Sequence, residues 1–302
     1  MTQSRLILVE GLPGSGKTTT AATVSQLFKQ MKPELNIIYY EEGRLDHPAD
    51  YEGVAYLTEE EWRQLQARLP EWMNILERSE RTQARIEARG HLLAYRRIRE
   101  RTGLPLPIEV EQAIAGRDLY ELPLDLHMEL MVENWRTFAA KAADQAEGTV
   151  YLFECCFIQN PITMAMIRCG AEPEVAIDYV KRLEAEVAGL SPIVIYVDQS
   201  DLDLSFRKAV LERPREWSQG FMDYYLNQGY GAANIRLAQG ESSEPLNRES
   251  SITGTVDVLK ARRIWEEEIL KRLECPVGKL DNSAYDEQER EYILKKILSE
   301  LF

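Results

Sequence analysis

The chain has 302 residues, 44% of them apolar, and a formal net charge of −14. This length and apolar content are typical of one α/β domain that carries an insertion. No run approaches the roughly 20 apolar residues of a membrane span, and the negative charge repels polyanions. We therefore expect neither a membrane nor a nucleic acid as partner.

The start of the chain and its four cysteines indicate the compartment of the protein and the absence of a zinc site. The first apolar strand begins four residues after Met1, which leaves no room for a secretion signal, so we expect a cytoplasmic protein. The cysteines lack the paired spacing of zinc sites, and we expect reduced thiols without bound zinc. They are Cys155, Cys156, Cys169 and Cys275.

A phosphate-binding loop is predicted between an apolar strand at 5–9 and a helical pattern at 18–31. The stretch fits the pattern glycine, four residues, glycine, lysine, threonine. Glycines let backbone N–H groups converge on a phosphate, and the start of the helix adds positive dipole. The residues expected to bind ATP are Gly11, Pro13, Gly14, Ser15, Gly16, Lys17, Thr18 and Thr19. Lys17 is expected to reach the β- and γ-phosphates, and the Thr18 hydroxyl to bind Mg²⁺.

A second buried strand at 36–40 leads into a run of acids. Ligands of open parallel sheets bind beyond the carboxyl ends of the strands, so we expect these acids on the same edge as the phosphate loop. Glu42 is the preferred general base. Glu41 is the weaker candidate, because neighbouring side chains of an extended segment point to opposite faces. Asp46 and Asp50 are candidates for binding a cationic acceptor.

Residues 55–148 show a helical pattern and predict an all-helical insertion into a core made of 1–54 and 149–302. Thr58 and Glu61 form a capping box, and apolar spacing from Asp125 predicts a helix that ends near Gly148. A parallel crossover needs only about a dozen residues. We therefore expect the insertion to build or cover the substrate site.

An arginine stripe lies within the predicted insertion. Arg81, Arg85 and Arg89 recur at four-residue spacing, which on one helical face would clamp a phosphate of the acceptor. The alternative is a solvated face paired with neighbouring glutamates, since exposed charged faces are common on helices.

The third strand, at 149–154, ends in Glu154. A phosphate-loop protein needs a carboxylate here to hold Mg²⁺ directly or through water, so Glu154 joins Thr18 as a candidate metal ligand. The alternative is a strand-end acid that faces solvent. Gln159 and Asn160 follow on the same edge and are weaker candidates for bonding the acceptor.

The fourth strand, at 193–198, is followed by a predicted helix from Asp201 to Leu211. Arg207 and Arg213 lie on this helix and just after it. They are candidates to fold over the nucleotide and neutralise the transferring phosphoryl group. The alternative is a solvated helix end, where cations are favoured by the dipole. A fifth strand near 275–283 and a final helix close the predicted core.

This layout resembles the P-loop kinases, especially the thymidylate and deoxynucleoside kinase branch and the chloramphenicol phosphotransferase-like kinases. The resemblance rests on the loop from Gly11 to Thr18, on Glu42, and on segments 195–213 and 280–283. It implies an α/β P-loop NTPase fold with a five-stranded parallel sheet in the order 2-3-1-4-5, sandwiched by helices. These families usually place an arginine after the acid of the third strand, where this chain has Cys155.

The sequence thus predicts an enzyme that transfers the γ-phosphate of Mg·ATP to a hydroxyl of a small-molecule acceptor. Lys17, Glu42, Arg207 and Arg213 are the predicted catalytic residues, with ATP and Mg²⁺ bound as above. The alternative is a nucleotide-dependent switch or ATPase whose insertion binds a protein partner.

Overall fold

The computed structural model describes residues 5–77, 83–86, 90–145, 148–236 and 247–301. The chain divides into two compact units, one formed by 1–42 with 135–302 and the other by 43–134. None of the helices in the described ranges combines the length and the apolar run that a bilayer crossing requires.

The larger unit is built on a five-stranded, all-parallel sheet in the order β2-β6-β1-β7-β8. Its strands are β1 (Leu6–Gly11), β2 (Asn36–Tyr40), β6 (Thr149–Glu154), β7 (Ile193–Asp198) and β8 (Val277–Asp281). The central strands β1 and β6 are buried along their whole length. They read as continuous apolar runs because helices cover both faces of a sheet of this kind.

Helices flank this sheet. In chain order they are α1 (Lys17–Met31), α6 (Leu124–Ala143, which enters from the smaller unit), α7 (Gln159–Ile162), α8 (Pro173–Val187), α9 (Leu202–Glu212), α10 (Arg215–Leu226), α11 (Gly229–Gly231), α12 (Arg248–Arg272) and α13 (Glu287–Leu301). Short π-helical turns occupy Thr163–Arg168 and Ala232–Arg236, and a 3₁₀ turn occupies Ala188–Leu190. On one face α1 and α13 pack on the sheet through Phe28 and Leu294. On the other face Trp135 and Phe138 of α6 contact Phe153.

The register brings the carboxyl ends of the strands together. Val9 pairs with Glu154 in β6, and Gly11 pairs with Val197 in β7. The segments that follow β1, β6 and β7 therefore start at one edge of the sheet. This edge carries the loop before α1, the turn before α7 and the segment before α9.

The smaller unit corrects the prediction of an all-helical insertion at 55–148. It contains a three-stranded antiparallel sheet in the order β3-β5-β4. Its elements are β3 (Ala55–Leu57), α2 (Glu59–Arg68), α3 (Pro70–Glu77), β4 (Gln83–Ile86), β5 (Gly90–Leu93), α4 (Tyr95–Thr102), α5 (Ile108–Ile114) and a 3₁₀ turn at Leu119–Glu121. Strands of three or four residues are too short to show a period of two, and their pairing is not local in sequence.

Two predictions made from local sequence patterns in and beside this unit are confirmed. Thr58 and Glu61 form the predicted capping box at the start of α2. The helix predicted from Asp125 is α6. Arg85 lies in β4, so the helical arginine stripe is wrong at that position, and Arg81 and Arg89 lie outside the described residues.

Candidate active site

The glycine-rich loop that the sequence predicts to bind phosphate, here called the phosphate loop, joins β1 to α1 at the end of the middle strand of the sheet. Two of its glycines occupy positions that a side chain would disturb. Gly11 has a φ of +147°, and a Cβ there would lie 2.4 Å from the carbonyl oxygen of Val197. Gly16 has a φ of +94°, and its Cβ would lie 2.5 Å from the amide nitrogen of Asn282. Only glycine allows the loop to approach its neighbours this closely.

The carbonyl oxygens of the loop are held by side chains from distant segments. Ser15 O accepts hydrogen bonds from Asn282 Nδ2 at 2.8 Å and from Gln199 Nε2 at 3.1 Å. Gly14 O accepts one from Ser205 Oγ at 3.2 Å. These bonds fix the loop backbone without using any of its N–H groups.

The backbone N–H groups at the start of α1 are available to bind a ligand. Within the described ranges, the backbone N–H groups of Gly16, Lys17 and Thr18 have no hydrogen-bond acceptor. The first turn of α1 carries no acidic residue, and its N-cap supplies no side-chain bond. Unused donors at the positive end of a helix dipole form an anion site. The geometry of the loop therefore fits a phosphate group.

Lys17 is buried beside these donors, 6% exposed. Its Nζ donates a hydrogen bond to Leu12 O at 2.9 Å, which curls the side chain back over the loop. Burial lowers the pKa of Lys17, but the negative charges around it, among them Glu42 and Glu154, raise that pKa by more. The ammonium group therefore keeps its charge at the place where phosphates would lie.

Thr18 and Glu154 meet as the sequence predicts. Thr18 Oγ1 donates a hydrogen bond to Glu154 Oε1 at 2.5 Å, and Tyr39 Oη donates to Glu154 Oε2 at 3.0 Å. Burial, then the Glu154 carboxylate, raise the pKa of Tyr39, so the phenol keeps its proton and remains a donor. A hydroxyl and a carboxylate oxygen side by side are the hard ligands that Mg²⁺ prefers, and the pair fits that ion.

Glu42 is held by two donors that come from beyond β6. Gln159 Nε2 donates to Glu42 Oε1 at 2.7 Å, and Cys155 Sγ donates to Glu42 Oε2 at 3.4 Å. Glu42 is exposed, whereas Gln159 and Cys155 are buried. The two buried donors thus orient the Glu42 carboxylate, which remains accessible to a ligand.

Cys155 stands where the resembling kinases carry an arginine. Its φ of +69° places it in a left-handed turn that ends β6. Ligand atoms of Glu42, Glu154 and Cys155 all lie within 4.8 Å of one another. Burial raises the pKa of the Cys155 thiol well above its usual value, so the thiol stays protonated and acts as a donor. The oxygen pair of Thr18 and Glu154 is therefore the better match to Mg²⁺.

A buried carboxyl group lies beneath this turn. Glu10 accepts hydrogen bonds from the backbone N–H of Phe157 at 2.8 Å and of Gln159 at 3.0 Å. Burial raises the pKa of Glu10 to about 7, although these bonds act in the opposite direction. Glu10 thus links the end of β1 to the segment that carries Gln159.

A buried arginine fastens several elements of the site. Arg262 of α12 is fully buried and donates to Glu266 Oε1 at 2.8 Å within its own helix. It also donates to Tyr225 Oη at 2.7 Å, to Gln159 O at 3.0 Å and to Thr163 Oγ1 at 3.0 Å. A single guanidinium therefore ties α10 to the helical turn of Gln159.

The two predicted lid arginines have different surroundings. Arg207 donates to Asp203 Oδ2 at 2.8 Å and to Glu249 Oε1 at 2.6 Å, so it braces α9 against α12. The guanidinium of Arg213 instead lies over the ring of Trp217, 4.4 Å from its centroid. Arg213 lines the cavity of the site and Arg207 does not.

This cavity has a volume of about 660 Å³ and lies in the larger unit. Most of the predicted residues line it, and Gly11, Ser15 and Arg207 do not. Those on its wall are Pro13, Gly14, Gly16, Lys17, Thr18, Thr19, Glu42, Glu154 and Arg213. A row of aromatic rings on α10 forms another part of the wall, at Trp217, Phe221, Tyr224 and Tyr225.

Asp46 and Asp50, the candidates for binding a cationic acceptor, lie in the smaller unit, where Arg44 pairs with Asp46 and Tyr120 donates to Asp50.

Other parts of the site escaped sequence reasoning. The sequence analysis assigned no role to Arg262, because an arginine within a long helical pattern is expected to lie on the protein surface. The aromatic row was visible in principle, since 217, 221 and 225 are spaced by one helical turn.

No protein-family model matches this chain, and no curated protein matches it either. We therefore argue function from the residues of the site.

Proposed function

We propose that this chain is a phosphotransferase that moves the γ-phosphate of Mg·ATP to a hydroxyl group of a small-molecule acceptor. The observation that carries the proposal is the placement of Glu42. Its accessible carboxylate is oriented by Gln159 and Cys155 in the same cavity as Lys17 and the phosphate loop. A module that only binds a nucleotide has no need of a fixed carboxylate at this place.

The sheet supports a P-loop kinase-type fold for the core. Counted along the chain, its five strands stand in the order 2-3-1-4-5, and the glycine-rich loop follows the middle strand. Strand, loop and helix in this arrangement suit the binding of a nucleotide's phosphates.

The phosphates would be held by the loop and by Lys17. The backbone N–H groups of Gly16, Lys17 and Thr18 are free to donate hydrogen bonds to a phosphate, and the Lys17 ammonium lies beside them. Donors fixed before the substrate arrives need no reorganisation during the reaction, and such preorganisation is a major source of catalysis.

Thr18 and Glu154 would hold Mg²⁺. When bound, this ion neutralises charge on the β- and γ-phosphates. Tyr39 orients the Glu154 carboxylate through its second oxygen, so the ligand pair is fixed from the side of β2.

Glu42 would act as the general base. The acceptor oxygen forms a bond to the γ-phosphorus, the bond from phosphorus to the β,γ-bridging oxygen breaks, and ADP leaves. Glu42 takes the proton of the acceptor hydroxyl in this step. Gln159 keeps the carboxylate aimed by donating to one of its oxygens.

Arg213 would neutralise the transferring phosphoryl group. Its guanidinium reaches the cavity and rests on Trp217, so a rotation of the side chain is enough to move its charge. Arg207, which is engaged by Asp203 and Glu249, keeps a bracing role instead.

The test is transfer of label from γ-labelled ATP, with Mg²⁺ and a fractionated extract of small molecules. Wild type is compared with Glu42→Gln, and Glu41→Gln serves as the matched control because Glu41 is the adjacent exposed acid. We expect label in an organic product for wild type and Glu41→Gln, and a loss of about 10²-fold or more for Glu42→Gln.

Label found only in inorganic phosphate, at the same rate in all three proteins, would contradict the proposal. That result would favour a nucleotide-dependent switch, and the next step would be a search for a protein bound to residues 55–148.

A further inference from the structure

We infer that Glu42, Glu154 and Cys155 form a binding site for a thiophilic divalent cation, with Zn²⁺ as the type case, and that this ion and Mg²⁺ exclude each other. Binding of the ion stands apart from the proposed function, whereas the inhibition that follows from it rests on the proposed phosphotransfer. Three observations carry the inference: the spacing of the ligand atoms, a buried oxygen of Gln159 without a partner, and the charges around the cluster.

The three ligand atoms already have the spacing of a zinc site. Cys155 Sγ lies 3.4 Å from Glu42 Oε2 and 3.8 Å from Glu154 Oε1. In a tetrahedral site with Zn–S and Zn–O bonds of about 2.3 and 2.1 Å, a sulfur and an oxygen ligand lie about 3.6 Å apart. The two observed distances bracket this value. The ion can therefore replace the thiol proton, which is released to solvent, with little movement of its ligands.

The donor set favours a thiophilic ion over magnesium. Thiolate sulfur is a soft ligand that Zn²⁺ binds well and Mg²⁺ binds poorly, whereas carboxylate oxygens suit both ions. Glu42 and Glu154 line the cavity, and Cys155 is 1% exposed. An ion thus enters through the cavity and meets the carboxylates first. The sequence analysis expected no bound zinc because paired cysteines are absent, but these ligands come from segments 113 positions apart.

Gln159 places an unused acceptor beside this cluster. Its side chain is 8% exposed and lines the cavity, and its Oε1 has no hydrogen-bond partner in the part of the chain that the structure describes. Gln159 Nε2 donates to Glu42 Oε1 at 2.7 Å. The nitrogen and oxygen of an amide are about 2.2 Å apart, so Gln159 Oε1 lies within about 5 Å of Glu42 Oε1. A water at the fourth position of the ion would donate to this oxygen and relieve the cost of its burial.

The charges around the cluster attract a cation. Lys17 interacts electrostatically with Glu42 and Glu154, and one ammonium does not cancel two carboxylates. The sheet order β2-β6-β1-β7-β8 places the cluster after β2 and β6, at one end of the sheet edge. The remaining cations of the cavity come from segments that follow β7 and β8, and they are Lys208, Arg213 and Arg290. They therefore belong to the opposite half of the sheet edge.

The two ions compete because they need the same oxygen atom. Glu154 Oε1 accepts hydrogen bonds from Thr18 Oγ1, at 2.5 Å, and from Cys155 Sγ, at 3.8 Å. Thr18 and Glu154 are the proposed Mg²⁺ ligands, so Mg²⁺ and the thiophilic ion both require this oxygen. Glu42, the proposed general base, is also taken up as a ligand. We therefore expect Zn²⁺ to inhibit transfer and excess Mg²⁺ to restore it.

The test titrates the nucleotide-free protein with Co²⁺, a probe for zinc sites whose bond to a thiolate gives strong near-ultraviolet absorption. Wild type should show this absorption, and Zn²⁺ should displace Co²⁺ and remove it. Cys155→Ser should lose the absorption. Cys169→Ser is the matched control, because it removes an exposed cysteine, and it should keep the absorption.

Glu42→Gln tests the site without touching the buried thiol. Glu42 is exposed, and glutamine keeps the size of its side chain. The Zn²⁺ affinity of this variant, measured by competition with Co²⁺, should fall at least about tenfold. Glu41→Gln, at the adjacent exposed acid, should keep the wild-type affinity. Circular dichroism verifies that each variant is folded.

No thiolate absorption in wild type, its persistence in Cys155→Ser, its loss in Cys169→Ser, or an unchanged Zn²⁺ affinity in Glu42→Gln would overturn the ion site. Because nucleotide is absent, these outcomes do not depend on phosphotransfer. In the label-transfer experiment, Zn²⁺ equimolar with the enzyme should inhibit wild type. Undiminished transfer would overturn the exclusion and leave the phosphotransferase proposal in place, whereas no transfer without Zn²⁺ would contradict that proposal and leave the ion site standing.

Discussion

The two ends of the cavity are built in different ways. The end that we propose to hold phosphate (the phosphate end) comes from residues 11–18, which are contiguous in sequence and lie between one strand and one helix, with Asn282 and Ser205 bonding to loop carbonyls. The acceptor end joins Glu42 to Gln159, 117 positions apart, and Tyr225 to Arg262, 37 positions apart. The residues of the phosphate end can therefore be recognised from one short segment, whereas the proposed acceptor end depends on how β2, α7, α10 and α12 pack.

The largest effect is expected at the phosphate end. Lys17→Met removes the buried ammonium group and should lower kcat by about 10³-fold, because a fixed charge on the transferring group is lost. Lys29→Met, on the exposed face of the same helix, is the control and should leave kcat unchanged. A Lys17→Met enzyme with wild-type turnover would mean that the loop does not hold the reacting phosphates.

The acceptor end should carry a pH signature of its own. The pKa of Glu10 is raised from 4.5 to about 7 in the folded state. Its protonated form is thus favoured by folding. This contribution is fully present below pH 4.5 and is lost as the pH rises to 7, a change on the order of 3 kcal/mol in the free energy of unfolding.

Denaturant titrations of wild type and Glu10→Gln between pH 4.5 and 8 check this prediction. The difference between the two proteins is the informative quantity. It cancels the contribution of His47, whose pKa burial lowers to about 3 and whose stabilisation is present above pH 6.5 and is lost as the pH falls. Parallel curves for the two proteins would show that Glu10 does not titrate in this range.

The two arginines give a sharper division within one segment. Arg213→Ala should lower kcat by about 10²-fold, since its charge is proposed to reach the phosphoryl group. Arg207→Ala breaks ion pairs at the surface with Asp203 and Glu249 and should change kcat less than about twofold. Equal losses in steady-state kcat would indicate that the segment acts as a whole, through its position alone.

A smaller effect is expected where Gln159 positions Glu42. Gln159→Leu removes the 2.7 Å hydrogen bond to the carboxylate but leaves the phosphate loop intact. We expect kcat to fall about tenfold while the KM for ATP stays within about twofold of wild type. A change in the KM for ATP alone would place Gln159 on the nucleotide side of the cavity.

Sequence reasoning succeeded where a signal is local. The strand, loop and helix around residues 11–18, the acid at the end of β6 and the capping box of α2 follow from neighbours along the chain. Short strands such as β3 and β4 carry too few residues for a period to be recognised. Their pairing depends on distant partners, which is why the antiparallel sheet was missed.

The acceptor end shows the same limit in a different form. The residue types of Gln159, Arg262 and Tyr225 are visible in the sequence, but their meeting is a product of tertiary packing. Arg207 and Arg213 are only six positions apart, and propensity does not reveal that one is paired and the other borders the cavity. The site in the structure differs from the predicted site mainly in which residues contact each other, and less in its secondary structure.

The most direct test of the account is a crystal structure with Mg²⁺ and a non-hydrolysable ATP analogue. We expect the β- and γ-phosphates to lie about 3 Å from the N–H groups of Gly16, Lys17 and Thr18. Mg²⁺ should lie at Thr18 and Glu154, and the γ-phosphate should face the Glu42 carboxylate. A nucleotide bound elsewhere, or a γ-phosphate turned away from Glu42, would contradict the assignment of one cavity to both phosphate and acceptor.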